Sequence, residues 1–355
     1  MKTKNLLEIL SIPSPSGWEK EGQQLWIKNI TPFADRVESD PYGNAWAVLD
    51  GSDAQAPRVM LEAHADEIGF IVRYIDDKGF LAVGPIGGSD RTLAPARRIR
   101  LFGSKGIVPG VIGNTAIHLR DRSNEKPADW KDLFIDVGAS SAKGVEKLGI
   151  RVGTPAIFVD DAIEFAEDRI VGRALDNRVG GFMIAEVARL LKENNKKLPF
   201  GLYITNSVQE EIGLRGAEMI TQTIKPNVAI VTDVTHDTTT PMIDVKKEGL
   251  LELGKGPVFA YAPAVQQKLR DLITTTAIEN KIPFQRSALS RATGTDTDAF
   301  AYSNGGVASA LISLPLRYMH TTVEMVHRED VENVIKMIYE TLLKIEDGET
   351  FSYFK

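Results

Sequence analysis

Four short apolar runs in this chain each end shortly before a histidine or a carboxylate side chain. They are residues 59–61 before His64, 202–204 before Glu210 and Glu211, 228–231 before Asp233, and 310–312 before His320. Short apolar runs bounded by polar residues are typical of buried strands in a mostly parallel sheet. Ligands of open α/β sheets bind at the carboxyl ends of the strands, so the pattern predicts that these side chains meet at one edge.

Stretches with helical periodicity alternate with these predicted strands. Residues 4–30 are predicted to be helical apart from the segment 12–17, where prolines, serines and a glycine indicate a turn. Another periodic stretch begins at Asp176 and places Val179, Met183 and Val187 on one apolar face, so Asp176 is predicted at the start of a helix. The last helix is predicted to carry one apolar stripe, formed by positions 331, 334, 335, 338, 342 and 345.

The segment from about residue 69 to residue 159 has a different pattern. It contains short β-like stretches, many glycines and prolines, and almost no helical period. Turn signals at this spacing predict a small sandwich or barrel. We therefore predict a catalytic α/β domain with a three-layer α/β/α sheet, formed by residues 1–68 and 160–355. Residues 69–159 form an inserted β-barrel-like domain in this interpretation.

Composition and charge exclude several classes of protein. The 355 residues carry a net charge of −6, whereas a nucleic-acid binder would show a basic face. No apolar run approaches the roughly 20 residues that span a bilayer, and the N-terminal apolar stretch breaks at Pro13, too early for a signal-peptide core. The absence of cysteine excludes disulfides, thiolate ligands and cysteine nucleophiles. We expect a cytoplasmic enzyme that binds neither nucleic acid nor membrane.

The side chains at the predicted strand ends have the chemistry of metal ligands. His64 and Asp66 are two residues apart and point to the same side of an extended chain, so Asp66 could orient the ring of His64. The neighbours Glu210 and Glu211 point in different directions, so one could bind a metal while the other faces an attacking water. The spacing leaves open which residue has which role. A charge as deep as Asp233 costs several kcal/mol unless it is paired or metal-bound.

Each candidate also has a purely structural interpretation. Asp176 could be a helix cap instead of a carboxylate that bridges two cations, the two glutamates an exposed acidic turn, and His320 a structural loop residue. Taken jointly, two histidines and three carboxylate ligands suit zinc, cobalt or manganese better than calcium or magnesium. The other histidines are interpreted as structural (His118), as possible pocket lining (His236), and as a cap or surface residue (His327).

Four motifs resemble those of the tetrahedral (glutamyl or deblocking) aminopeptidases, a family of dinuclear metallopeptidases in which some members are labelled cellulase M or endoglucanase. The motifs are AHADEIGF (63–70), ALDNR (174–178), VQEEIG (208–213) and RYMHT (317–321). The resemblance extends over essentially the whole chain. It implies that His64 and Asp233 hold one metal ion, that Glu211 and His320 hold another, and that Asp176 bridges the two. Glu210 would then be the general base, and Asp66 would orient His64.

The same resemblance implies further properties of the protein. These are two divalent ions per subunit, peptide substrates with a free N-terminus, a cis peptide bond after Asp176, and assembly into hollow dodecamers built from dimers with the help of the inserted domain. The segment 294–299 matches the family's Gly-Thr-Asp-Ala sequence only approximately, so the roles of Asp296 and Asp298 stay open.

Three other functions remain as alternatives to a metal-dependent aminopeptidase. A glycoside hydrolase would use two carboxylates at a set separation and no metal, which would leave the histidines without a role. A metal-dependent deacylase of N-acyl amino acids would use the same metal ions with a different pocket for the amine. A non-catalytic scaffold would not need an intact ligand set. No G-x-S-x-G nucleophile elbow or phosphate-binding glycine loop is present.

Overall fold

The computed structural model describes residues 3–52, 56–121, 123 and 126–354. The strands of this part of the chain are β1 (Arg36–Ser39), β2 (Ala45–Leu49), β3 (Arg58–His64), β4 (Gly69–Ile75), β5 (Leu81–Ile86), β6 (Arg98–Gly103), β7 (Gly106–Ile112), β8 (Phe134–Asp136), β9 (Pro155–Phe158), β10 (Ile163–Phe165), β11 (Arg169–Gly172), β12 (Gly201–Ser207), β13 (Val228–His236), β14 (Val258–Tyr261), β15 (Gln285–Ala288), β16 (Ala308–Leu316) and β17 (Glu324–His327). The α-helices are α1 (Thr3–Ser11), α2 (Lys20–Ile30), α3 (Ala142–Lys147), α4 (Leu175–Glu193), α5 (Arg215–Ile224), α6 (Val245–Glu248), α7 (Gln267–Glu279), α8 (Asp296–Ala301) and α9 (Arg328–Leu342).

The largest sheet has the strand order β1-β2-β12-β3-β13-β16-β14-β15. The four apolar runs of the sequence lie in β3, β12, β13 and β16, which are neighbours and parallel to one another. In this register Ser207 at the end of β12 pairs with His64 at the end of β3, and Asp233 of β13 pairs with Ser313 of β16. The prediction that these strands end at one edge is therefore confirmed.

Helices cover both faces of this sheet and complete the predicted three-layer α/β/α architecture. The helix α4 packs on β3 and β13 and also contacts α1, α2 and α9, while α5 and α8 contact each other and pack on β12, β13 and β16. The apolar face of α4, with Val179, Met183 and Val187, is fully buried. The predicted stripe of the last helix is buried as well, although the helix itself ends at Leu342. No helix in the described ranges is both long and apolar enough to cross a membrane.

The start of α4 departs from regular helix geometry. The helix begins at Leu175, but Asp176 and Asn177 have non-helical backbone angles, and a cis peptide bond joins them, as the resemblance implies. The alternative that Asp176 caps the helix is wrong, because its two carboxylate oxygens face His64 and His320 and accept no hydrogen bond from a backbone N–H group of the described residues. Its side chain is therefore available for another role.

The inserted segment folds as a closed barrel with the strand order β4-β5-β8-β7-β6-β9. It runs from Gly69 to Phe158 and has its own apolar core, which includes Phe70, Leu81 and Ile99. Of the two predicted architectures, sandwich and barrel, the barrel is thus confirmed. The domain boundaries at 68/69 and 159/160 stay a prediction. A small sheet of β10, β11 and β17 was not predicted from the sequence.

Two adjacent glycines bring α4 close to the sheet. A Cβ atom at Gly180 would meet Asn177 Oδ1 and lie 2.9 Å from Ala63 Cβ of β3, and a Cβ at Gly181 would lie 2.7 Å from Asn206 Oδ1 of β12. Only hydrogen fits at these positions, so helix and strands approach more closely than larger residues allow.

We expect Gly180→Ala to destabilise the fold by about 1–3 kcal/mol, because the added methyl group overpacks this contact. The measurement is the midpoint of chemical denaturation. Gly144→Ala in α3 is the matched control: its new Cβ would lie 3.3 Å from Ala139 Cβ, and alanine favours the helix. Equal midpoints for the two variants would contradict the proposed packing constraint.

Candidate metal centre

Six side chains at the carboxyl edge of the sheet come together at the base of a cleft, and His64 lies at their centre. Its Nε2 atom is 3.3 Å from Asp176 Oδ1, 3.8 Å from Glu210 Oε2 and 3.8 Å from Asp233 Oδ1. His64, Asp176 and Asp233 are all buried, and Glu210 is half-buried. The structure therefore brings together residues as far apart in the sequence as His64 and Asp233.

His320 approaches the same cluster from the other side. Its Nε2 atom lies 3.3 Å from Asp176 Oδ2 and 3.3 Å from Glu211 Oε2. The two oxygens of Asp176 thus face different histidines, with Oδ1 toward His64 and Oδ2 toward His320. This arrangement divides the cluster into two halves that share one carboxylate.

Left-handed backbone conformations recur beside the cluster. Ala174, Gln209, Tyr318 and His320 all have positive φ angles between +57° and +60°. Such conformations cost of order 1–3 kcal/mol at non-glycine residues and persist only where the surroundings impose them. These positions coincide with or lie within two residues of Asp176, Glu210, Glu211 and His320, so tight backbone conformations carry much of the cluster.

A buried carboxylate that the sequence interpretation did not single out, Glu324, supports two of these turns. Its Oε1 atom accepts a hydrogen bond from the backbone N–H of His320 at 2.8 Å, and its Oε2 atom accepts one from Asp176 N–H at 3.1 Å. Glu324 therefore fixes the backbones of both halves of the cluster at once.

Asp66 lies beside His64, as the two-residue spacing predicts. Its Oδ1 atom is 3.3 Å from His64 Nδ1 and accepts a hydrogen bond from Glu210 N–H at 2.9 Å. Its Oδ2 atom accepts one from Glu211 N–H at 3.2 Å. Asp66 thus contacts one histidine and the backbone of both glutamates, more than the sequence spacing could indicate.

The protein's own groups leave this cluster with a strong affinity for positive charge. Burial lowers the pKa of His320, but Asp176 and Glu211 more than offset it and raise that pKa to about 11. Burial raises the pKa of Glu210 to about 10, although His64 acts in the opposite direction. The carboxyl groups of Glu211 and Asp233 also have raised pKa values, chiefly because they are buried. Bound protons therefore supply positive charge that a bound cation could supply instead.

The donor atoms fit a divalent metal ion. Within the described ranges, ligand atoms lie within 4.8 Å of one another in two groups, namely His64 with Glu210 and Asp233, and His64 with Asp176 and Glu211. The Nδ1 atom of His64 is buried and faces Asp66 Oδ1 at 3.3 Å, which leaves its Nε2 atom directed toward the other carboxylates. Nitrogen and oxygen donors of this kind suit zinc, cobalt or manganese.

A second buried acidic group lies next to the cluster. Ser207 Oγ is 2.6 Å from Glu62 Oε1 and 2.8 Å from Asp296 Oδ2, and all three residues are almost fully buried. Asp298, whose role the sequence left open, accepts hydrogen bonds from the backbone N–H groups of Thr293 and Gly294 and lines the cleft. Glu62 directly follows the apolar run 59–61, and no sequence pattern identified it as a candidate site residue.

The cleft above the cluster has a volume of about 1180 Å³. Apolar side chains form part of its wall, including Leu251, Leu289 and Met319. His236 also lines it, as the sequence suggested. Of the remaining histidines, His118 is exposed and outside the cleft lining, and His327 caps α9 by accepting a hydrogen bond from Glu329 N–H.

The inserted barrel contributes two glycines to the centre. A Cβ atom at Gly88 would lie 2.5 Å from His320 Nδ1, and one at Gly87 would lie 3.1 Å from Glu211 Cβ. The loop after β5 therefore packs directly on one half of the cluster.

Known proteins resemble this chain over nearly its full length. The family model described as M42 glutamyl aminopeptidase matches residues 43–337. A lysyl aminopeptidase of Pyrococcus furiosus is 39% identical over 93% of this chain and 93% of its own length. A TET aminopeptidase from a marine sediment archaeon (Thaumarchaeota archaeon SCGC AB-539-E09) superimposes with a TM-score of 0.92 at 30% identity, covering 98% of this chain and 97% of that one. The TET1 peptidase of Pyrococcus horikoshii is described as able to assemble into a tetrahedron or a large octahedral shell. It superimposes with a TM-score of 0.85 at 28% identity, covering 97% of this chain and 99% of that one.

Proposed function

The chain belongs to the M42 glutamyl aminopeptidase family, and on this premise we propose that it removes N-terminal residues from peptides with the help of two divalent metal ions per subunit. The observation that carries the metal proposal is the position of Asp176, with one carboxylate oxygen toward each histidine. A carboxylate in that position can bridge two cations.

The proposed ligands divide between the two halves of the cluster. His64 and Asp233 would hold one ion, Glu211 and His320 would hold the other, and Asp176 would bridge them. The distances of 3.3 to 3.8 Å between the histidine nitrogens and the carboxylate oxygens support this division. The mixed nitrogen and oxygen donors favour zinc or cobalt, with manganese as a further candidate.

Glu210 is the proposed general base. The chemistry that two divalent ions supply in such a site is acidification of the attacking water, polarisation of the peptide carbonyl, and a lower pKa for nearby carboxyl groups. Glu210 lines the cleft, so its carboxylate can take a proton from the water and deliver it to the leaving amine. Asp66 would hold the backbone of Glu210 and orient His64.

The proposed substrates are peptides with a free N-terminus. A cleft of about 1180 Å³ that ends at a group of carboxylates can accept an α-amine at its acidic base, while the peptide chain extends toward the opening. Acetylation makes this nitrogen non-basic and adds bulk at the same place, so an acetylated peptide would bind poorly there. An α-amine held at the carboxylates would bring the first peptide bond to the site.

The first experiment is hydrolysis of a panel of aminoacyl anilides, beside N-acetylated anilides and soluble cellulose, with EDTA and with added Zn²⁺ or Co²⁺. We expect cleavage of the free-amine substrates only, its loss in EDTA, and its recovery when metal is added back. EDTA-insensitive cellulose hydrolysis would instead support a glycoside hydrolase. Activity confined to acylated substrates would support a deacylase that uses the same metal ions.

We expect Glu210→Gln to lower kcat by about 10²- to 10⁴-fold, because the amide cannot accept the proton from water. Metal content, measured by elemental analysis, should stay at the wild-type level. Glu218→Gln on the exposed surface of α5 is the matched control and should leave kcat unchanged. A near-normal kcat in the Glu210 variant would show that another group is the base.

We also propose that the protein assembles into dodecamers built from dimers, with the inserted barrel taking part in assembly and in substrate access. The likeness to a peptidase described as forming a tetrahedron supports this proposal, because tetrahedral symmetry relates twelve copies. A cytoplasmic location is part of the same proposal, in keeping with a chain that has no cysteine.

Light scattering coupled to size exclusion tests the assembly. Twelve chains of 39.0 kDa give an expected mass of about 470 kDa. A single species at 39.0 kDa over a range of protein concentrations would rule the dodecamer out.

A further inference from the structure

The carboxylate of Asp66 receives a hydrogen bond from a hydroxyl group in the N-terminal turn. Ser16 Oγ donates to Asp66 Oδ2 at 2.6 Å, and the two residues are 3% and 0% exposed. Ser16 lies between α1 and α2, fifty positions before its partner. None of the proposed site residues comes from this turn, so the contact adds a new segment to the centre.

Asp66 is the link between this hydroxyl and the two glutamates of the cluster. Besides Ser16, its oxygens accept the backbone N–H groups of Glu210 and Glu211 and lie beside His64 Nδ1. A carboxylate has about four lone-pair sites, and here the neighbours occupy essentially all of them. Because Oδ2 is shared by Ser16 and Glu211, loss of the hydroxyl frees Asp66 to rotate away from the glutamate backbone.

The loop that carries the glutamates needs such support. Gln209 and Leu214 flank the pair with φ angles of +59° and +62°, a conformation that disfavours side chains of their size. The backbone N–H groups of Glu210 and Glu211 donate to the side chain of Asp66, and these two hydrogen bonds hold the middle of this loop. A change at Asp66 would therefore alter the direction of both glutamate side chains.

The N-terminal turn is itself fixed to the end of β3. Ser14 N–H donates to Glu67 Oε1 at 2.8 Å, and Ser16 N–H donates to the Glu67 carbonyl oxygen at 3.2 Å. Arg173 forms a buried ion pair with Glu67, and Arg178 donates to the carbonyl oxygens of Ile9 and Ile12. The Ser16 hydroxyl is thus presented to Asp66 from a rigid backbone.

We propose that Ser16 is a positioning residue for the hydrolytic reaction. Its hydroxyl fixes the Asp66 carboxylate, and Asp66 in turn fixes His64 and the loop that carries Glu210 and Glu211. This role rests on the proposed function, because it concerns the placement of the general base and of metal ligands.

The test compares Ser16→Ala with Ser14→Ala. Ser14 lies in the same turn and is 0% exposed, but its hydroxyl has no hydrogen-bond partner among the described residues. Both substitutions remove one buried hydroxyl, and only the first removes a contact to Asp66. We expect Ser16→Ala to lower kcat about 10- to 100-fold with little change in KM, and Ser14→Ala to retain nearly full turnover.

A second measurement is independent of metal and of activity. Amide hydrogen exchange, followed by mass spectrometry on the metal-free full-length protein, reports the protection of residues 208–214. We expect exchange there to be several-fold faster in Ser16→Ala than in Ser14→Ala, with exchange in α9 unchanged as an internal reference. Equal acceleration in α9 would indicate general destabilisation and overturn the positioning role.

The results separate this inference from the proposed function. If the wild type cleaves free-amine anilides and the two serine variants match in kcat or in exchange at residues 208–214, Ser16 has no positioning role. If the wild type shows no metal-dependent aminopeptidase activity on the panel, the proposed function fails, and the positioning role of Ser16 in the reaction fails with it.

Discussion

Burial of four carboxylates at the end of one sheet is the constraint on which the rest of this structure depends. Asp176, Glu210, Glu211 and Asp233 converge where β3, β12, β13 and β16 end, and each ionised group loses several kcal/mol of hydration there. Hydrogen bonds and nearby positive charge offset this loss. The two histidines supply some of this charge, and their raised pKa values show how strongly the cluster attracts protons. The surrounding turns, caps and buried acids hold the groups close despite their repulsion.

The sequence predicted that these side chains converge because parallel strands impose a simple geometry. An apolar run followed by a polar ligand type fixes both the strand and its functional end, which placed His64, Asp233 and the two glutamates together. The barrel was also predictable, because its glycines, prolines and short strands contrast with the helical periods on either side. Asp176 was harder, since its position before a helix also suits a cap, and its place in the cluster follows from the tertiary structure alone.

The supporting residues had no such signature. Glu324 binds the backbone of Asp176 across 148 positions, and Ser16 binds Asp66 across fifty. A single glutamate or serine in a loop has the same local pattern whether it faces solvent or holds a site, because its partner is set by the tertiary fold. The small sheet was missed for a related reason: β10 is exposed along its length, so no apolar alternation marks it.

The inserted barrel has its own apolar core, but its close approach to His320 and Glu211 ties its structure to that of the cluster. Any graft of a foreign barrel into this scaffold would have to reproduce the two-glycine corner at Gly87 and Gly88, because a methyl group at either position reaches a side chain of the cluster. The half of the cluster that contains Glu211 and His320 is thus walled in part by the insertion. The corner that faces the sheet is therefore constrained by the cluster itself, whatever the rest of the barrel surface carries.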